Sequence, residues 1–376
     1  MNKKIAYVLG MITLIIGLWG FYDRFAFGHE NAAYGSYVSW GLWVALYFLF
    51  GGIAVGCFIW ASLDLLFEVP ALKGTGRIAL WAALVDLGVG LLAIGLDLGH
   101  FERFYKAFTN PNWTSGVIED VWGYTIFGIL TVLALIFSIN QNKSVALKVV
   151  MILGLITAIF AAAAPGKMLG MDASRMFWHS SLLPVQFIFL ALTNGAAMLL
   201  VIRGFFVSPA ENEKPFSILS ISLVGLLAFN LYFVYLFFSQ GLSGRIPDIV
   251  QPVNAILNGQ YSLLFWGVQI VLGAILPIII LTQRKLAGSG ALVGLMGLLV
   301  LLGNAVARYL IVVPAQQVEF LPNLSTAFSG RGLNLAYMPS ATEWAVASGL
   351  LGVVILGMLV GADFILPLVS KSHKEA

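Results

Sequence analysis

Charged side chains are scarce in this chain. Only 10% of its 376 residues are Asp, Glu, Lys or Arg, whereas 60% are hydrophobic and the mean hydropathy is +0.94. Soluble domains usually carry about a quarter charged residues. The composition therefore excludes an ordinary soluble protein and indicates an integral membrane protein.

Cysteine and histidine are also scarce, and this restricts the cofactors that the chain can hold. Cys57 is the only cysteine, so neither a disulfide nor an iron–sulfur cluster of its own is possible. The four histidines, at positions 29, 100, 179 and 373, lie outside the middle of every apolar run. The facing pair that a membrane haem needs is therefore not expected, and no ligand spacing predicts a metal site. Any redox chemistry must use a bound organic cofactor.

Ten apolar runs are each long enough, at about 20 residues, to cross roughly 30 Å of hydrocarbon as a helix. None alternates as a membrane barrel strand does, so helices must satisfy the backbone in lipid. The first run ends in aromatic residues without a small-residue cleavage site, and we expect it to be retained. The sequence thus predicts an all-α integral membrane protein with spans at residues 5–22, 38–66, 77–98, 120–139, 145–164, 176–203, 215–239, 261–282, 289–313 and 342–369.

Basic residues predict the orientation of these spans. The side that carries both termini has twelve Lys and Arg residues against eight on the other side, and its loops are shorter. The positive-inside rule therefore places both termini in the cytoplasm, with the chain in the cytoplasmic (inner) membrane. The long connections 99–119, 240–260 and 314–341 then face the periplasm. Three long loops on one face favour the docking of a partner, and idle loop length is the alternative.

Ionisable side chains inside spans are costly in free energy, so each is a candidate functional group. Asp86 and Asp97 are eleven residues apart in the third span, which places them on one face, about 16 Å apart along the axis. Gly90 and Ala93 lie between them and predict a lane of low bulk for water. With Asp64 toward the inner side, the carboxylates form a candidate proton path. The alternative is that Asp86 is a neutral or hydrogen-bonded structural group.

Titratable and aromatic residues are expected together at the outer ends of the spans. Pro184 predicts a kink just inside the outer interface, one turn from His179. Such a rim suits a quinone, whose ring needs stacking surfaces, whose oxygens need donors and whose protons need an acceptor. An interfacial aromatic belt is the plainer alternative. The candidate catalytic residues are Asp97, His100, His179 and Arg308, and the candidate ring-binding residues are Tyr37, Trp40, Trp43, Trp178, Asn304 and Glu343.

Four motifs carry a family resemblance: SWGLWVALYFLFGGIAVG from Ser39, DLGHFERF from Asp97, NPNWTS from Asn110 and WHSSLLP from Trp178. Their order and their placement at the ends of spans resemble the NrfD/PsrC family, the membrane anchors of polysulfide-reductase-type respiratory complexes. The resemblance runs from the second span to the tenth. Ten spans are similar to the longer branch of the family, which includes HybB-like hydrogenase anchors and alternative complex III subunits. Phe101 stands where the family commonly has proline.

The resemblance implies the fold and the partners. It implies a single membrane domain over residues 1–376 with two four-helix bundles, residues 38–164 and 176–313. Residues 1–37 and 314–376 would each supply an outer loop and a peripheral helix. It also implies a haem-free site for menaquinone or ubiquinone at the outer face, which would make this chain the quinone-reactive subunit. A ferredoxin-like iron–sulfur subunit would dock on the outer loops and serve a molybdopterin-containing or other catalytic subunit.

The lipid bilayer is the other expected partner. No nucleic-acid partner is expected. The candidate docking residues are Glu102, Arg103, Asn110, Trp113, Arg245 and Arg331.

Two other functions are open at this point. A secondary transporter or ion channel would use Asp86, Asn194, Asn230 and Asn304 as ligands. Transporters usually contain a helix broken at the midplane, whereas Pro277 lies toward the cytoplasmic end of its span. An energy-coupling module would move protons from Asp64 through Asp86 to Asp97.

Overall fold

The computed structural model describes residues 3–139, 144–206, 213–283, 289–319, 323–327, 330, 332–333 and 335–372. Within them lie ten helices that are long and apolar enough to cross a membrane, and these residues contain no strand. The predicted all-α membrane protein is thus confirmed. The ten helices are α1 Lys3–Phe27, α2 Leu42–Leu65, α3 Gly76–Asp97, α4 Gly116–Ile139, α5 Val145–Gly170, α6 Leu182–Phe206, α7 Glu213–Ser243, α8 Leu263–Thr282, α9 Gly290–Gln316 and α10 Ala341–Ser372.

Short helical pieces occur mainly in the loops on the side opposite the termini, which we call the outer side. They are the 3-10 turn Phe101–Arg103 and the helices Lys106–Thr109, Pro247–Leu257 and Leu324–Ala327. The 3-10 turn Pro70–Leu72 lies on the inner side. The outer loops therefore have local structure of their own.

Helix α2 is the centre of the bundle and packs against α3, α5, α6 and α9. Its approach to α6 depends on glycine. A Cβ atom at Gly56 would lie 1.9 Å from the Ala191 carbonyl oxygen, and one at Gly195 would lie 2.3 Å from the Gly56 carbonyl carbon. Small residues at such a crossing let two membrane helices approach closely and pack well. The division into two four-helix bundles, residues 38–164 and 176–313, stays a prediction. Helices α2 and α6, which would belong to different bundles, contact each other.

Helices α1 and α10 pack along each other. A Cβ atom at Gly17 would lie 2.0 Å from the Cα atom of Gly349, so the two backbones touch there. At the inner end, Lys3 Nζ lies 2.5 Å from Asp363 Oδ1. The pair is attached to α3, where Trp81 Nε1 donates to the Gly357 carbonyl at 2.9 Å. The outward face of α1 is left exposed and apolar, as expected of a face toward lipid.

The kink predicted at Pro184 is wrong. Helix α6 begins at Leu182, six residues later than the predicted span, so Pro184 falls in its first turn. An N–H in the first turn of a helix has no partner within the helix, and proline therefore starts α6 without bending it. Turns occupy most of residues 171–181 instead.

Helix α8 has two parts. Residues Leu263–Ile275 form a π-helix, and Leu276–Thr282 continue as an α-helix with Pro277 near its start. The π-helical part contacts α9 closely, because a Cβ atom at Gly273 would lie 2.6 Å from the Cα atom of Gly303. A π-helix of this length is unusual, since most are single turns and many lie at functional sites.

Candidate functional site

Glu343, in the first turn of α10, is fully buried, and both oxygens of its carboxylate accept hydrogen bonds. Its carboxylate accepts hydrogen bonds from the backbone N–H of Ala33 at 2.9 Å, from that of Ser340 at 3.0 Å and from the Tyr337 hydroxyl. Trp43 Nε1 donates to its backbone carbonyl at 3.2 Å. We call Ala33, Trp43, Tyr337, Ser340 and Glu343 the Glu343 cluster. It joins the loop before α2, the start of α2 and the start of α10.

Tyr337 completes this cluster as a donor. Its hydroxyl accepts from the backbone N–H of Leu42 at 2.8 Å and donates to Glu343. Burial, and then the neighbouring carboxylate of Glu343, raise the pKa of Tyr337 well above its ordinary value. The hydroxyl therefore keeps its proton. The structure thus gives Glu343 a helix-joining role, and its predicted contact with a ring stays a prediction.

Asp97 lies at the outer end of α3 beside the loop that follows α1. The Tyr34 hydroxyl faces its carboxyl group, and burial followed by the charge of Asp97 raises the pKa of Tyr34. Arg24 donates to the carbonyl oxygens of Leu96 and Leu98, both at 2.6 Å. Arg24 therefore satisfies carbonyls that the end of α3 would otherwise leave free.

The histidine in this region is His29, which sequence reasoning passed over. Its half-buried ring lies 5.5 Å from the Tyr34 ring and 6.1 Å from the Trp43 ring. Burial, and then the charge of Arg24, lower the pKa of His29 below its ordinary value. His29 is therefore neutral at pH 7.

The two predicted catalytic histidines do not reach the buried rim. The side chain of His100 is 66% exposed, and its Nδ1 lies 2.9 Å from Glu102. His179 is also exposed, because it precedes α6. The chain leaves the bundle directly after Asp97, which carries His100 outward.

Trp40 and Trp178, two of the predicted ring-binding residues, contact each other. Their rings stack with centroids 5.7 Å apart, and Trp178 Nε1 donates to the Ile311 carbonyl at 2.7 Å. Gln316 holds the backbone of Trp40 from both sides, at 3.0 and 2.7 Å. The half-buried Tyr37 lies in the same loop. These contacts place a largely buried aromatic pair between the loops that precede α2 and α6 and the outer part of α9.

A second buried polar group lies deeper, around Arg308 of α9. The guanidinium is 1% exposed and stacks over the Phe187 ring at 3.6 Å. In the part of the chain that the structure describes, its Nε and Nη1 atoms have no hydrogen-bond partner. A buried cation without a partner costs several kcal/mol, so this position calls for an oxygen ligand.

An acid–tyrosine pair accompanies Arg308, and sequence reasoning missed it. The Tyr47 hydroxyl donates to Asp120, and the Tyr47 and Tyr124 rings lie 5.8 Å apart. Asp120 is 3% exposed, and its Oδ1 atom has no partner among the described residues. The fourth span was expected to begin at residue 120, whereas helix α4 begins four residues earlier. Asp120 therefore lies in the second turn of α4, where its side chain is buried in the bundle.

Two glycines of α2 let these groups converge. A Cβ atom at Gly51 would lie 2.5 Å from the Tyr124 hydroxyl oxygen. One at Gly52 would lie 3.3 Å from Asn194 Nδ2 and 3.6 Å from Arg308 Nη2. Any larger side chain would push the polar groups apart. We call Tyr47, Asp120, Tyr124, Asn194 and Arg308 the Arg308 cluster.

Amide side chains extend this cluster toward the middle of the membrane. Asn304 donates to Asn194 Oδ1 at 2.5 Å, and Asn230 donates to Thr193 at 2.6 Å. A cavity of about 30 Å³ lies beside them, with amides among its lining residues: Gln186, Asn230, Gln269 and Asn304. It has room for about two water molecules. A quinone ring does not fit into it, since ligand pockets are usually at least ten times larger.

Comparison with known proteins places this chain in a family. Residues 30–319 match the family described as polysulphide reductase, NrfD. The chain belongs to this family. It is 29% identical to a selenate reductase subunit of Mesobacillus selenatarsenatis, over 95% of this chain and 92% of that protein. It is 25% identical to the Hdr-like menaquinol oxidoreductase integral membrane subunit of Archaeoglobus fulgidus, over 98% and 95%.

The predicted NrfD resemblance is therefore confirmed. With its ten apolar helices, this NrfD-family chain is a multi-pass membrane protein. Both relatives are named as subunits of oxidoreductases, which supports a role in a redox complex.

The residues of the predicted proton path are closely packed in this NrfD-family chain. A Cβ atom at Gly90 would lie 3.2 Å from the Gly51 nitrogen, so the backbone of α2 occupies the lane expected to hold water. Asp86 is fully buried, and neither of its carboxylate oxygens has a partner among residues of known placement. Asp64 accepts a 2.7 Å bond from the Gly76 N–H and so serves the start of α3. The packing at Gly90 fills the expected lane at that one level, and the proton path through Asp64, Asp86 and Asp97 stays a prediction.

The predicted docking residues lie on the outer surface where they are described. Glu102, Arg103, Asn110, Trp113 and Arg245 are exposed. Arg331 lies outside the described residues. Within the described part of the chain, no three His, Cys, Asp or Glu side chains lie close enough together to hold a metal ion.

Proposed function

We propose that this NrfD-family chain is the quinone-reactive membrane subunit of an oxidoreductase complex. It would exchange electrons between menaquinol or ubiquinol and an iron–sulfur subunit on the periplasmic side. The names of the two relatives support the class of complex. Arg308 supports the site most directly, because it is a buried cation whose Nε and Nη1 atoms have no partner among the described residues.

A quinone head group fits the donors of the Arg308 cluster. It is lipid-soluble and carries oxygen acceptors, which the Arg308 N–H groups and Asn194 Nδ2 need. The Phe187 ring offers a stacking surface next to the guanidinium. When bound as quinol, this group supplies two electrons and two protons. Arg308 would orient its oxygen and stabilise negative charge there.

Asp120 would receive one proton of the quinol, either directly or through Tyr47, whose hydroxyl would take up that proton as it passes its own to Asp120. Asp120 has one carboxylate oxygen bonded to Tyr47 and the other without a partner in the described part of the chain. It lies four residues into α4, about 6 Å from the outer end of that helix. A proton taken up by Asp120 would therefore leave toward the outer side. Asp64 and Asp86 are not part of this proposal, because the lane above Asp86 is filled.

Entry of the ring requires movement of side chains. Tyr124 and Arg308 occupy the space next to Gly51 and Gly52, and the nearby cavity holds about two water molecules. The proposal therefore includes a rearrangement of Tyr124 and Arg308 when the ring binds. Their flexible hydroxyl and guanidinium ends can move without disturbing the glycine contact between α2 and α6.

Electrons would leave through the outer face to a docked partner. The stacked Trp40 and Trp178 rings lie on that side, and Glu102, Arg103, Asn110 and Arg245 are exposed polar residues of the outer loops. The partner would be a ferredoxin-like iron–sulfur subunit that serves a molybdopterin-containing or other catalytic subunit. Both termini of the chain would then lie in the cytoplasm, as the distribution of basic residues predicts.

Replacement of Asp120 tests this function. Asp120→Asn keeps the shape of the side chain but removes the base, so quinol oxidation in membranes should fall by about a hundredfold or more. Glu30→Gln, an exposed carboxylate near the same face, is the matched control and should leave turnover unchanged. Assembly of the complex is measured in parallel. Normal turnover in a normally assembled Asp120→Asn complex would overturn the proposal.

A further inference from the structure

We infer that residues 101–109, here called the aromatic segment, lie in the interfacial layer of the bilayer with their rings among the lipids. Phe101, Phe104, Tyr105 and Phe108 follow a spacing of three, four and seven residues, which places them on one face of a helical turn. They are 45%, 52%, 52% and 37% exposed. Contiguous exposed aromatic surface of this kind marks an interaction site.

The depth of the aromatic segment indicates that lipid covers it. A Cβ atom at Gly95 would lie 3.0 Å from the Phe101 ring, so this ring folds back along α3 to a level before the end of that helix. On the other side, Trp122 Nε1 donates to the Ala107 carbonyl at 3.1 Å. Trp122 lies six residues into α4, about 9 Å from its outer end. The aromatic segment therefore lies beside the helices, level with the outer turns of α3 and α4. This level is nearer the membrane centre than the surface on which a soluble subunit would dock.

The lipid-facing surface of α1 continues into this segment. Phe25 is 63% exposed on the same outward side as Tyr22 and Leu18, and its ring lies 6.3 Å from Phe101. From there a row of rings runs to α4, each 5.5–6.3 Å from the next: Phe101, Phe104, Phe108, Trp122 and Trp113. Aromatic side chains are enriched at this level of a membrane. Lipid that covers α1 would thus cover the row without a break.

The polar side chains of the segment fit the same placement. Glu102 pairs with His100 at 2.9 Å and lies 3.6 Å from Arg103, while Lys106 is exposed one turn further on. Basic residues beside an apolar face suit the phosphate level of a bilayer. Glu102 and Arg103 remain accessible from the outer side, so their proposed contact with a partner is compatible with this placement. Trp113, predicted to dock a partner, belongs to the lipid side.

Spin-label accessibility tests the inference without any measurement of quinone chemistry. In a Cys57→Ala background, Phe104→Cys and Lys106→Cys are labelled in the complete complex, held in phosphatidylcholine nanodiscs. The label at position 104 should collide more with oxygen than with a water-soluble nickel chelate, at a depth of about 5–10 Å. The label at position 106 should show the reverse preference.

Two outcomes would overturn the placement in lipid. One is equal access of the nickel chelate to positions 104 and 106. The other is shielding of position 104 from both reagents, which would mean that a protein covers the segment. Tyr105→Cys, equally exposed, provides a second reporter on the same face if Phe104→Cys does not assemble.

Discussion

The Glu343 cluster and the Arg308 cluster are both buried and polar, but they differ in how their hydrogen bonds are met. Glu343 accepts three hydrogen bonds and holds a loop and two helices together. Arg308, Asp120 and Asn194 each keep at least one polar atom without a partner among the described residues. A buried polar atom without a hydrogen-bond partner is costly in free energy inside a membrane. Such atoms persist where a ligand supplies the partner. The first cluster therefore stabilises the fold, and the second is the proposed site.

Arg308→Met should lower activity strongly, although less than Asp120→Asn. Loss of a charge-assisted hydrogen bond costs about 1.5–3 kcal/mol, so quinol oxidation should fall roughly ten- to a hundredfold. The thermal midpoint should stay or rise, because the variant removes a buried charge without a partner. Lys148→Met, an exposed cation at the inner end, is the control. Full turnover with a lowered midpoint would assign Arg308 to the fold.

Glu343→Gln should show the opposite pattern. The amide would place an N–H group where the carboxylate now accepts hydrogen bonds. Each hydrogen bond lost would lower the free energy of unfolding by about 1–3 kcal/mol. We expect a lower unfolding midpoint and less assembled subunit, while turnover per assembled complex is retained. Denaturation of purified complex measures the first effect, with Glu30→Gln as the matched carboxylate. A stable variant with little turnover would indicate that the redox site lies at Glu343 and would contradict the proposal.

Gly51→Ala should destabilise the protein by about 1–3 kcal/mol, because the added methyl group meets the Tyr124 hydroxyl. Tyr124→Phe removes that oxygen and should recover part of the loss in the double variant. The unfolding midpoints of the two single variants and the double variant give the coupling energy. Strictly additive effects would show that the two residues do not touch.

His29 should give a small dependence of stability on pH. Its pKa is lowered in the folded protein, so the folded state disfavours its protonation. Its contribution is complete above the unfolded value of about 6.5 and is lost as the pH falls toward the lowered value. The unfolding midpoint should therefore drop less between pH 7.5 and 5.5 in His29→Gln than in the unchanged protein. Equal drops would show that His29 does not titrate with folding.

Composition and apolar runs were enough to predict ten spans, because lipid imposes both length and apolarity on each helix. They could not show that Pro184 starts α6, since a proline near a helix end fits a kink or a first turn equally well. Depth counting assigned Trp40 and Trp178 to the same outer level without predicting their contact, and it misplaced His100, because the chain turns outward just after Asp97. The contact between Tyr47 and Asp120, 73 residues apart, has no signature in local spacing.

A density map of the complex with a bound quinol analogue tests the central claim most directly. The account predicts a ring next to Gly51 and Gly52, with an oxygen within hydrogen-bond distance of the Arg308 guanidinium and Tyr124 displaced. A ring bound elsewhere, for example beside Asp97 and His29, with Arg308 still stacked on Phe187, would contradict it.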